Sequence, residues 1–267
     1  MIEAAVTRSV AVHAASGMIT DASWGIAVEA PVQVVLNGTP WTVLLATPED
    51  LEDLAIGVAI TERVLTDASA VQRVHAESYL QDVTVHLEVP ESALQREALR
   101  GRAIAANSAC GLCGLESLAD LQARRASVPR RVEPISDTAV RAAFDAMPRL
   151  QPLNQETRSV HAAAWCSPSG QIQLLREDVG RHNALDKLVG ALARSDRLHE
   201  AGFVVMSSRC SYELVYKTAV TQASLLATVS APTSMALSWS AALGVPVACR
   251  AGEAVVRFPE ERIDAGG

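Results

Sequence analysis

Short apolar runs alternate with amphipathic stretches through the second half of the chain. Apolar runs bounded by turn residues predict strands, and apolar residues at helical spacing predict helices. On this basis we expect strands at 203–206, 225–229 and 245–248 and helices at 184–198, 212–223 and 233–243. Strands that alternate with helices are typical of an α/β fold. The expected fold class is therefore α/β, with a mixed sheet covered by helices on both faces.

The first half of the chain is richer in strand patterns and predicts an N-terminal β-rich lobe. Asn37-Gly38 lies between apolar runs at 32–36 and 41–46. Both residues tolerate positive φ, so this pattern predicts a β-hairpin. Further strands are expected at 71–78 and 82–89, and another hairpin at 160–166 and 171–175.

Domain limits follow from the same patterns. The first twenty residues lack a clear pattern, so we expect a flexible tail at 1–20, one domain at 21–258 and a C-terminal tail at 259–267. Thr47 has the side chain of a helix N-cap and Pro48 suits the first turn, which predicts a helix that opens at 47. Helices are also expected from Glu91 and at 138–146, and a linker at 123–137.

Composition and charge exclude several classes of function. The chain has 267 residues, 49% of them hydrophobic, and a net charge of −7. An acidic chain is unsuited to non-specific nucleic-acid binding. Residues 218–249 carry no charge, but Pro232, Gly244 and Pro246 interrupt them, which favours buried elements over a membrane span. No secretory signal is visible, and five cysteines without framework spacing fit a reducing cytoplasm.

Cys110 and Cys113 form the densest chemical motif of the sequence. The residues around them are small, as in Ser108, Gly111 and Gly114, and an amphipathic helix pattern follows. If the pair lies on the turn into that helix, the helix dipole favours a thiolate. A lone C-x-x-C is compatible with half of a zinc site, a redox dithiol or a sulfur carrier. A structural zinc ion needs four ligands, and no second such pair exists.

His75-Ala-Glu77 suggests a second interpretation of the cysteine pair. Zinc nucleobase deaminases carry H-x-E followed by P-C-x-x-C, and here Ala109 stands where that pattern has proline. His75 also lies in a predicted strand, where a surface histidine without a ligand role is the alternative.

Two further polar clusters each lie where a predicted strand meets a helix. Residues 177–187 contain Arg181, His182 and Asn183, a combination that suits an anion or phosphate site at a helix start. Simple helix capping by Asn183 is the alternative. Residues 207–217 add Arg209 and Lys217 at the next such turn. In α/β sheets, ligands bind at the carboxyl ends of strands.

The order of these motifs resembles the formate dehydrogenase accessory sulfurtransferase (FdhD) family over about 230 residues, an extent and order that make the match specific. The matching segments include Glu29-Ala-Pro31, Asn37-Gly38, Thr47-Pro48 with Gly57 and Glu62, 110–114, 161–163, 177–187, Ser208-Arg209 with 211–213 and Lys217, and 229–233. The family is similar in fold to cytidine deaminases, so the resemblance implies a deaminase-like sheet.

The resemblance also implies a function. Family members take persulfide sulfur from a cysteine desulfurase and pass it to the molybdenum cofactor of formate dehydrogenase, a bis(molybdopterin guanine dinucleotide) centre. Carried over, Cys110 matches the persulfide position and Cys113 is its partner. The chain itself is expected to hold no metal, to bind neither nucleic acid nor membrane, and to act in the cytoplasm on formate dehydrogenase apoenzyme. A homodimer is left open.

Residues for binding the guanine dinucleotide follow from the same resemblance. The family's C-terminal cofactor-binding segment matches Ala248, Cys249, Arg250, Ala251, Gly252 and Glu253. The other expected cofactor-binding residues are His161, Arg181, His182, Asn183 and Arg209.

One departure and two rival functions remain. The glycine-rich turn that usually precedes the family's histidine is Thr157-Arg158-Ser159 here, so Arg158 is expected to alter the pocket. A zinc deaminase would contain stoichiometric zinc and require Glu77. A non-catalytic cofactor-binding chaperone would stay active after Cys110→Ser.

Overall fold

The fold was analysed on a computed structural model that describes residues 2–79, 82–95, 98–99, 133–221 and 223–258. The predictions for Cys110 and Cys113, for most of the 123–137 linker and for the 259–267 tail lie outside the described residues.

Twelve strands and six α-helices make up the described part of the chain. The strands are β1 (Ala5–His13), β2 (Ile19–Ala27), β3 (Ala30–Leu36), β4 (Thr39–Ala46), β5 (Arg73–Tyr79), β6 (Asp82–Glu88), β7 (His161–Cys166), β8 (Ile172–Asp178), β9 (Phe203–Met206), β10 (Leu226–Thr228), β11 (Val247–Ala251) and β12 (Ala254–Phe258). The helices are α1 (Leu51–Thr61), α2 (Asp137–Ala146), α3 (Pro152–Thr157), α4 (Arg181–Arg194), α5 (Tyr212–Thr218) and α6 (Ser234–Leu243). None of these helices has the length and apolar character that crossing a membrane requires.

The strands form three sheets. The largest has the order β12-β11-β10-β9-β7-β8, in which β9, β10 and β11 are parallel and their outer neighbours are antiparallel. A second sheet has the order β4-β3-β6-β5, and β1 pairs with β2 alone. The predicted mixed α/β architecture with an N-terminal β-rich lobe is confirmed.

Helices cover both faces of the six-stranded sheet. Apolar residues of α2, including Val140 and Phe144, pack on one face against Ala164 and Val205. On the other face α4, α5 and α6 belong to a larger core that continues through α1 to the four-stranded sheet. Because successive residues of a strand point to opposite faces, β7 contributes Ala162 and Ala164 to the first core and Ala163 and Trp165 to the second. The central strands are therefore buried on both faces.

Helices α1 and α4 cross at a pair of glycines. A Cβ atom on Gly57 would overlap the main-chain oxygen of Asp186, and one on Gly190 would overlap the main-chain oxygen of Asp53. The two backbones can approach this closely only because both positions lack a side chain. This crossing fixes the direction of α4, and thereby the position of the residues at its start.

Local turn chemistry predicted the hairpins well. Asn37 and Gly38 join β3 to β4 with φ values of 48° and 78°, the positive values that the Asn-Gly turn requires. The side-chain oxygen of Asn37 also accepts a hydrogen bond from the Val89 amide at 2.9 Å, which ties the turn to β6. The hairpin of β7 and β8 and the pair β5 and β6 also confirm their predictions.

Three predictions about the ends of elements were wrong. The predicted flexible tail at 1–20 contains β1 and the start of β2, which pair along nine residues. Helix α1 begins at Leu51, not at 47, because Thr47 is held by another part of the chain. Helix α4 begins at Arg181, three residues before the predicted start, and ends at Arg194. The short elements α3 and β12 were not predicted.

We expect Gly57→Ala to destabilise the protein. Alanine favours a helix over glycine by about 1 kcal/mol, so propensity alone predicts a higher Tm. Overlap with the main-chain oxygen of Asp186 predicts instead that the free energy of unfolding falls by about 1–3 kcal/mol, the usual cost of overpacking. Thermal unfolding distinguishes the two, and Gly190→Ala should have the same sign because it meets Asp53 at the same crossing. A raised Tm in both variants would contradict the close crossing.

Candidate functional site: the carboxyl edge of the six-stranded sheet

The predicted binding residues lie at the end of the six-stranded sheet where most of its strands have their carboxyl ends. This end is called the carboxyl edge, or simply the edge, below. Strands β8, β9, β10 and β11 run in the same direction, so their carboxyl ends share that edge. Strand β7 runs the other way and begins there with His161. Arg181 and His182 follow β8, and Arg209 follows β9. The fold therefore collects residues that are far apart in sequence, as α/β sheets do at ligand sites.

Asp178 organises the turn after β8. Its side chain is fully buried and accepts hydrogen bonds from the main-chain nitrogens of Thr47 (3.0 Å) and Gly180 (2.8 Å). Lys187 Nζ lies 2.7 Å from Asp178 Oδ2, and neither side chain is exposed. A buried carboxylate is tolerated when it is paired and its lone pairs are satisfied. This cluster fixes the turn from which α4 starts.

Asn183 belongs to the same cluster, so the alternative that it caps the helix is wrong. It lies inside α4, whose N-cap is Gly180. Its Nδ2 donates to Leu45 O at 2.8 Å and to Asp178 Oδ1 at 3.0 Å. Both amide hydrogens are thus used within the protein. The predicted contact of Asn183 with a cofactor stays a prediction.

Arg181 and His182 lie in the same turn, but in the described part of the chain they are not among the groups that bind Asp178. His182 Nε2 lies 3.5 Å from Glu213 Oε2, and the side chains are 13% and 8% exposed. The Nε atom of Arg181 is buried and has no hydrogen-bond partner within the described ranges. Buried polar groups are normally satisfied, so an orphaned guanidinium nitrogen at a sheet edge points to a ligand or water.

His161 lies close to both of these cationic residues. Its Nδ1 is 3.4 Å from Ser207 Oγ, and the same hydroxyl accepts a hydrogen bond from the Ala162 amide at 2.8 Å. Burial lowers the pKa of His161, and the nearby Arg181 and His182 lower it further, while Asp178 acts in the opposite direction. His161 is therefore neutral at pH 7 and can accept as well as donate a hydrogen bond.

Two glutamates support the edge in different ways. Burial acts to raise the pKa of Glu213, but His182 and Ser211 outweigh it, so the pKa is lowered and Glu213 is a carboxylate. Burial raises the pKa of Glu177, although the amides that it accepts from oppose this shift. Glu177 accepts hydrogen bonds from the amides of Leu153 (3.0 Å) and Asn154 (2.9 Å), which anchors the start of α3.

Lys217 was wrongly predicted to add positive charge to the edge. It is buried, and its Nζ lies 2.8 Å from Asp186 Oδ1 and 3.1 Å from Glu62 Oε1. Thr61 Oγ1 accepts from the same ammonium at 2.9 Å. The lysine thus holds α5 to α1 and α4. Arg209, by contrast, is exposed on the loop after β9.

The C-terminal segment predicted to bind cofactor forms the hairpin of β11 and β12. Ala248 and Cys249 are buried, whereas Ala251, Gly252 and Glu253 are exposed at its tip.

Arg250 lies on the face of the sheet that α2 covers, since it is two residues from Ala248 of that core. Its Nη2 pairs with Asp145 Oδ1 of α2 at 2.9 Å. His161 shares a face with Ala163, on the opposite side. The structure therefore does not bring Arg250 together with His161, and the binding role of residues 248–253 stays a prediction.

Arg158, expected to alter the pocket, adopts a left-handed conformation at the end of α3, with φ 56°. A glycine would take this φ without strain, whereas an arginine rarely adopts it. The Arg158 guanidinium lies 4.8 Å from the centre of the Trp24 ring, a cation–π distance. The contact described for the Arg158 side chain is thus with Trp24 of β2.

The three cysteines that the structure describes are buried thiols. Burial raises the pKa of Cys166 to about 12. Burial also raises the pKa of Cys210 to about 12, and the nearby Cys249 adds to this shift. Burial also raises the pKa of Cys249. The thiolate is the nucleophilic form, so these three are poorly suited to sulfur chemistry.

Sequence reasoning missed two residues of the site. Glu213 was noted only as part of a motif, yet it pairs with His182. Ser207 links His161 to β9 through its hydroxyl. Ser207 begins the strand-to-helix connection that was singled out for Arg209, and Glu213 lies in the first turn of the helix after it, so their position was the signal that could have found them.

The fold and the edge define an α/β protein whose main sheet presents a cluster of arginine and histidine side chains at its carboxyl end, a class suited to binding anionic groups. The chain belongs to the FdhD/NarQ family, whose family model matches residues 27–261.

Individual relatives agree with this assignment. A protein of Cupriavidus necator (strain H16) named sulfur carrier protein FdhD is 43% identical over 241 residues, which cover 89% of this chain and 83% of that protein. One of Xanthomonas euvesicatoria pv. vesicatoria with the same name is 40% identical over 243 residues, covering 90% and 86%. A crystal structure described as a formate dehydrogenase accessory protein from Desulfotalea psychrophila has a TM-score of 0.75 at 18% identity and covers 96% of this chain and 97% of its own, which shows the shared fold.

We expect Arg181→Gln to raise the pKa of His161. Loss of the positive charge removes one of the causes that lower this pKa, while burial remains. The midpoint of the His161 imidazole signals in an NMR titration measures the shift. Arg141→Gln is the matched control, because Arg141 lies on α2 across the sheet. An unchanged or lowered midpoint in Arg181→Gln would show that the two residues do not interact as described.

Proposed function

We propose that this protein is a sulfur carrier in the maturation of formate dehydrogenase, and that it transfers persulfide sulfur from a cysteine desulfurase to the enzyme's molybdenum cofactor. The observation that carries the proposal is the 40–43% identity, over about nine-tenths of the chain, to proteins named sulfur carrier protein FdhD. The chain also has the Cys110-Gly-Leu-Cys-Gly114 motif that the function needs. The cytoplasm is the proposed location.

The described thiols support Cys110 and Cys113 as the sulfur-carrying pair. The chain has five cysteines, and three of them are buried with a raised pKa. A carrier must present a nucleophilic thiolate to another protein, which a buried thiol cannot do. This supports the proposal that the remaining two cysteines, which lie in a glycine-containing sequence, carry the sulfur.

Loading of the carrier is a thiolate exchange. The Cys110 thiolate attacks the outer sulfur of the donor's persulfide, the bond between the two donor sulfurs breaks, and the donor leaves as a thiolate. Cys110 then carries the persulfide, and no net oxidation or reduction has occurred.

Release of the sulfur uses the second cysteine. The Cys113 thiolate attacks the inner sulfur of the Cys110 persulfide, a disulfide forms between the two cysteines, and the outer sulfur leaves as hydrosulfide toward the cofactor. The two electrons that reduce the outer sulfur come from the two cysteines. A dithiol reductant of the cell then returns the disulfide to two thiols.

The sheet edge supplies a binding site for the guanine dinucleotide part of the client cofactor. Arg181 and Arg209 offer guanidinium groups, which bind phosphate oxygens through charged hydrogen bonds. The orphaned Nε of Arg181 fits such a group, because a phosphate would satisfy it. Neutral His161, beside Ser207, can donate to or accept from the base or the sugar.

We expect Cys110→Ala to abolish maturation of formate dehydrogenase while the fold is retained. In a strain that lacks its own carrier, the variant should give inactive formate dehydrogenase. Intact-protein mass spectrometry after incubation with desulfurase and cysteine should show the mass of one added sulfur on the wild type and none on the variant. Cys166→Ala is the control, since its buried thiol should not matter for loading. Full formate dehydrogenase activity with Cys110→Ser would favour a non-catalytic chaperone instead.

We expect Arg181→Gln to weaken binding of guanosine diphosphate by about tenfold or more, since a charged hydrogen bond contributes about 1.5–3 kcal/mol. Guanosine diphosphate shares its base and phosphates with the cofactor, and calorimetry gives its Kd. Arg141→Gln on α2 should bind it as the wild type does. Equal affinity in Arg181→Gln and wild type would remove Arg181 from the site.

A further inference from the structure

We propose that His75, Glu77 and His86 form a binding site for a divalent transition-metal ion on the outer face of the β5–β6 pair. One ligand atom from each residue lies within 4.8 Å of the others. This trio lies on the four-stranded sheet and not at the edge of the six-stranded sheet. The proposal departs from the expectation of no metal, which stays a prediction.

Strand pairing brings the three side chains together. Strands β5 and β6 are antiparallel, and His75 lies directly opposite His86. Glu77 is two residues from His75, so both point to the same face of the sheet. The alternate residues Val85 and Leu87 of β6 are buried on the other face. The alternation of the two strands thus presents the trio on the side away from the core.

The geometry is close to that of a bound ion. His75 Nε2 lies 3.3 Å from Glu77 Oε1, and His86 Nε2 lies 4.0 Å from Glu77 Oε2. Ligands about 2.1 Å from a tetrahedral zinc ion are about 3.4 Å apart, so the first distance already fits. The second distance must shorten by about 0.6 Å, and the widest separation among the three ligand atoms, which is up to 4.8 Å, by up to about 1.4 Å. The two imidazoles stack with centroids 4.9 Å apart and an interplanar angle of 13°, and the Nε2 atom of each lies within 4.0 Å of a Glu77 oxygen.

Burial and chemistry favour a metal over a mere ion pair. The side chains of His75 and His86 are 31% and 33% exposed, which restricts their rotamers, whereas Glu77 is 68% exposed and leaves the site open to solvent. Two imidazoles and a carboxylate are the ligands of Zn²⁺ and neighbouring ions of the first transition row.

This site differs from a zinc deaminase site. In the deaminase pattern the glutamate is an acid–base group and not a ligand. Here the Glu77 carboxylate lies between both imidazoles and would itself bind the ion. The cross-strand partner His86 is also absent from the H-x-E pattern. The proposed ion would join the edge strand β5 to β6.

Zinc binding to full-length, tag-free protein tests the proposal. Cysteine thiolates also bind zinc, so the measurements use a Cys110→Ser/Cys113→Ser background. Calorimetry should give one zinc ion per chain, and His86→Ala should weaken the affinity by at least about tenfold, as losses of even supporting groups at metal sites do. His13→Ala on exposed β1 is the matched control and should bind as the background does.

A variant that should bind zinc more tightly provides a second test of the proposal. Thr84 lies opposite Glu77 and on the face of His86, so Thr84→His offers a fourth ligand and should tighten zinc binding by about tenfold or more. Cobalt added in place of zinc should give visible absorption bands that His86→Ala removes. Equal zinc affinity in the background, His86→Ala and Thr84→His would overturn the proposal and leave the trio as a cross-strand ion pair.

Discussion

The buried ion pair of Asp178 and Lys187 is the constraint on which the candidate site depends. The two side chains are completely buried 2.7 Å apart, and Asp178 also holds the amides of Thr47 and Gly180. Removing one partner of such a pair leaves an uncompensated charge, at a cost of about 3–5 kcal/mol. The segment at Thr47 and the distant segment from Asp178 to Lys187 thus meet in one arrangement, which positions Arg181 and His182 without help from a ligand. Binding groups held in advance lose less entropy when a ligand arrives.

Charge compensation explains how an acidic protein can bind an anion. The net charge is −7, but the acids near the edge are mostly occupied, since Asp178 pairs with Lys187 and Glu213 lies beside His182. Arg181 has no such carboxylate partner within the described ranges. A phosphate at this edge would therefore meet the local excess of positive charge and not the charge of the whole chain, because screening limits distant charges to about 10 Å in ordinary salt.

Local sequence patterns predicted most strands and turns correctly. The predictions were wrong mainly where contacts between residues distant in sequence determine the structure. Asn37-Gly38 specifies its turn by backbone preference alone, so the hairpin was foreseen. Thr47 has the chemistry of an N-cap, yet it is bound by Asp178, which is 131 residues away in sequence. Lys217 was misassigned for the same reason, because its partners come from other elements. Strands β1 and β2 escaped notice because they pair mainly with each other and bury little apolar surface, so they lack the alternation of a core strand.

At the candidate site, too, the sequence indicated which residues are chemically suited to binding but not which partners they meet. Residue type and turn context marked Arg181, His182 and Arg209, because a guanidinium or imidazole at a strand end has few structural uses. Which carboxylate each would meet could not be read from the sequence, and Glu213 became visible only when α5 was placed beside α4. The described thiols complete the argument: all three lie in the protein interior, so the sheet that supplies the binding groups does not also supply a reactive sulfur. The proposed function therefore assigns sulfur loading and anion binding to separate groups of the protein.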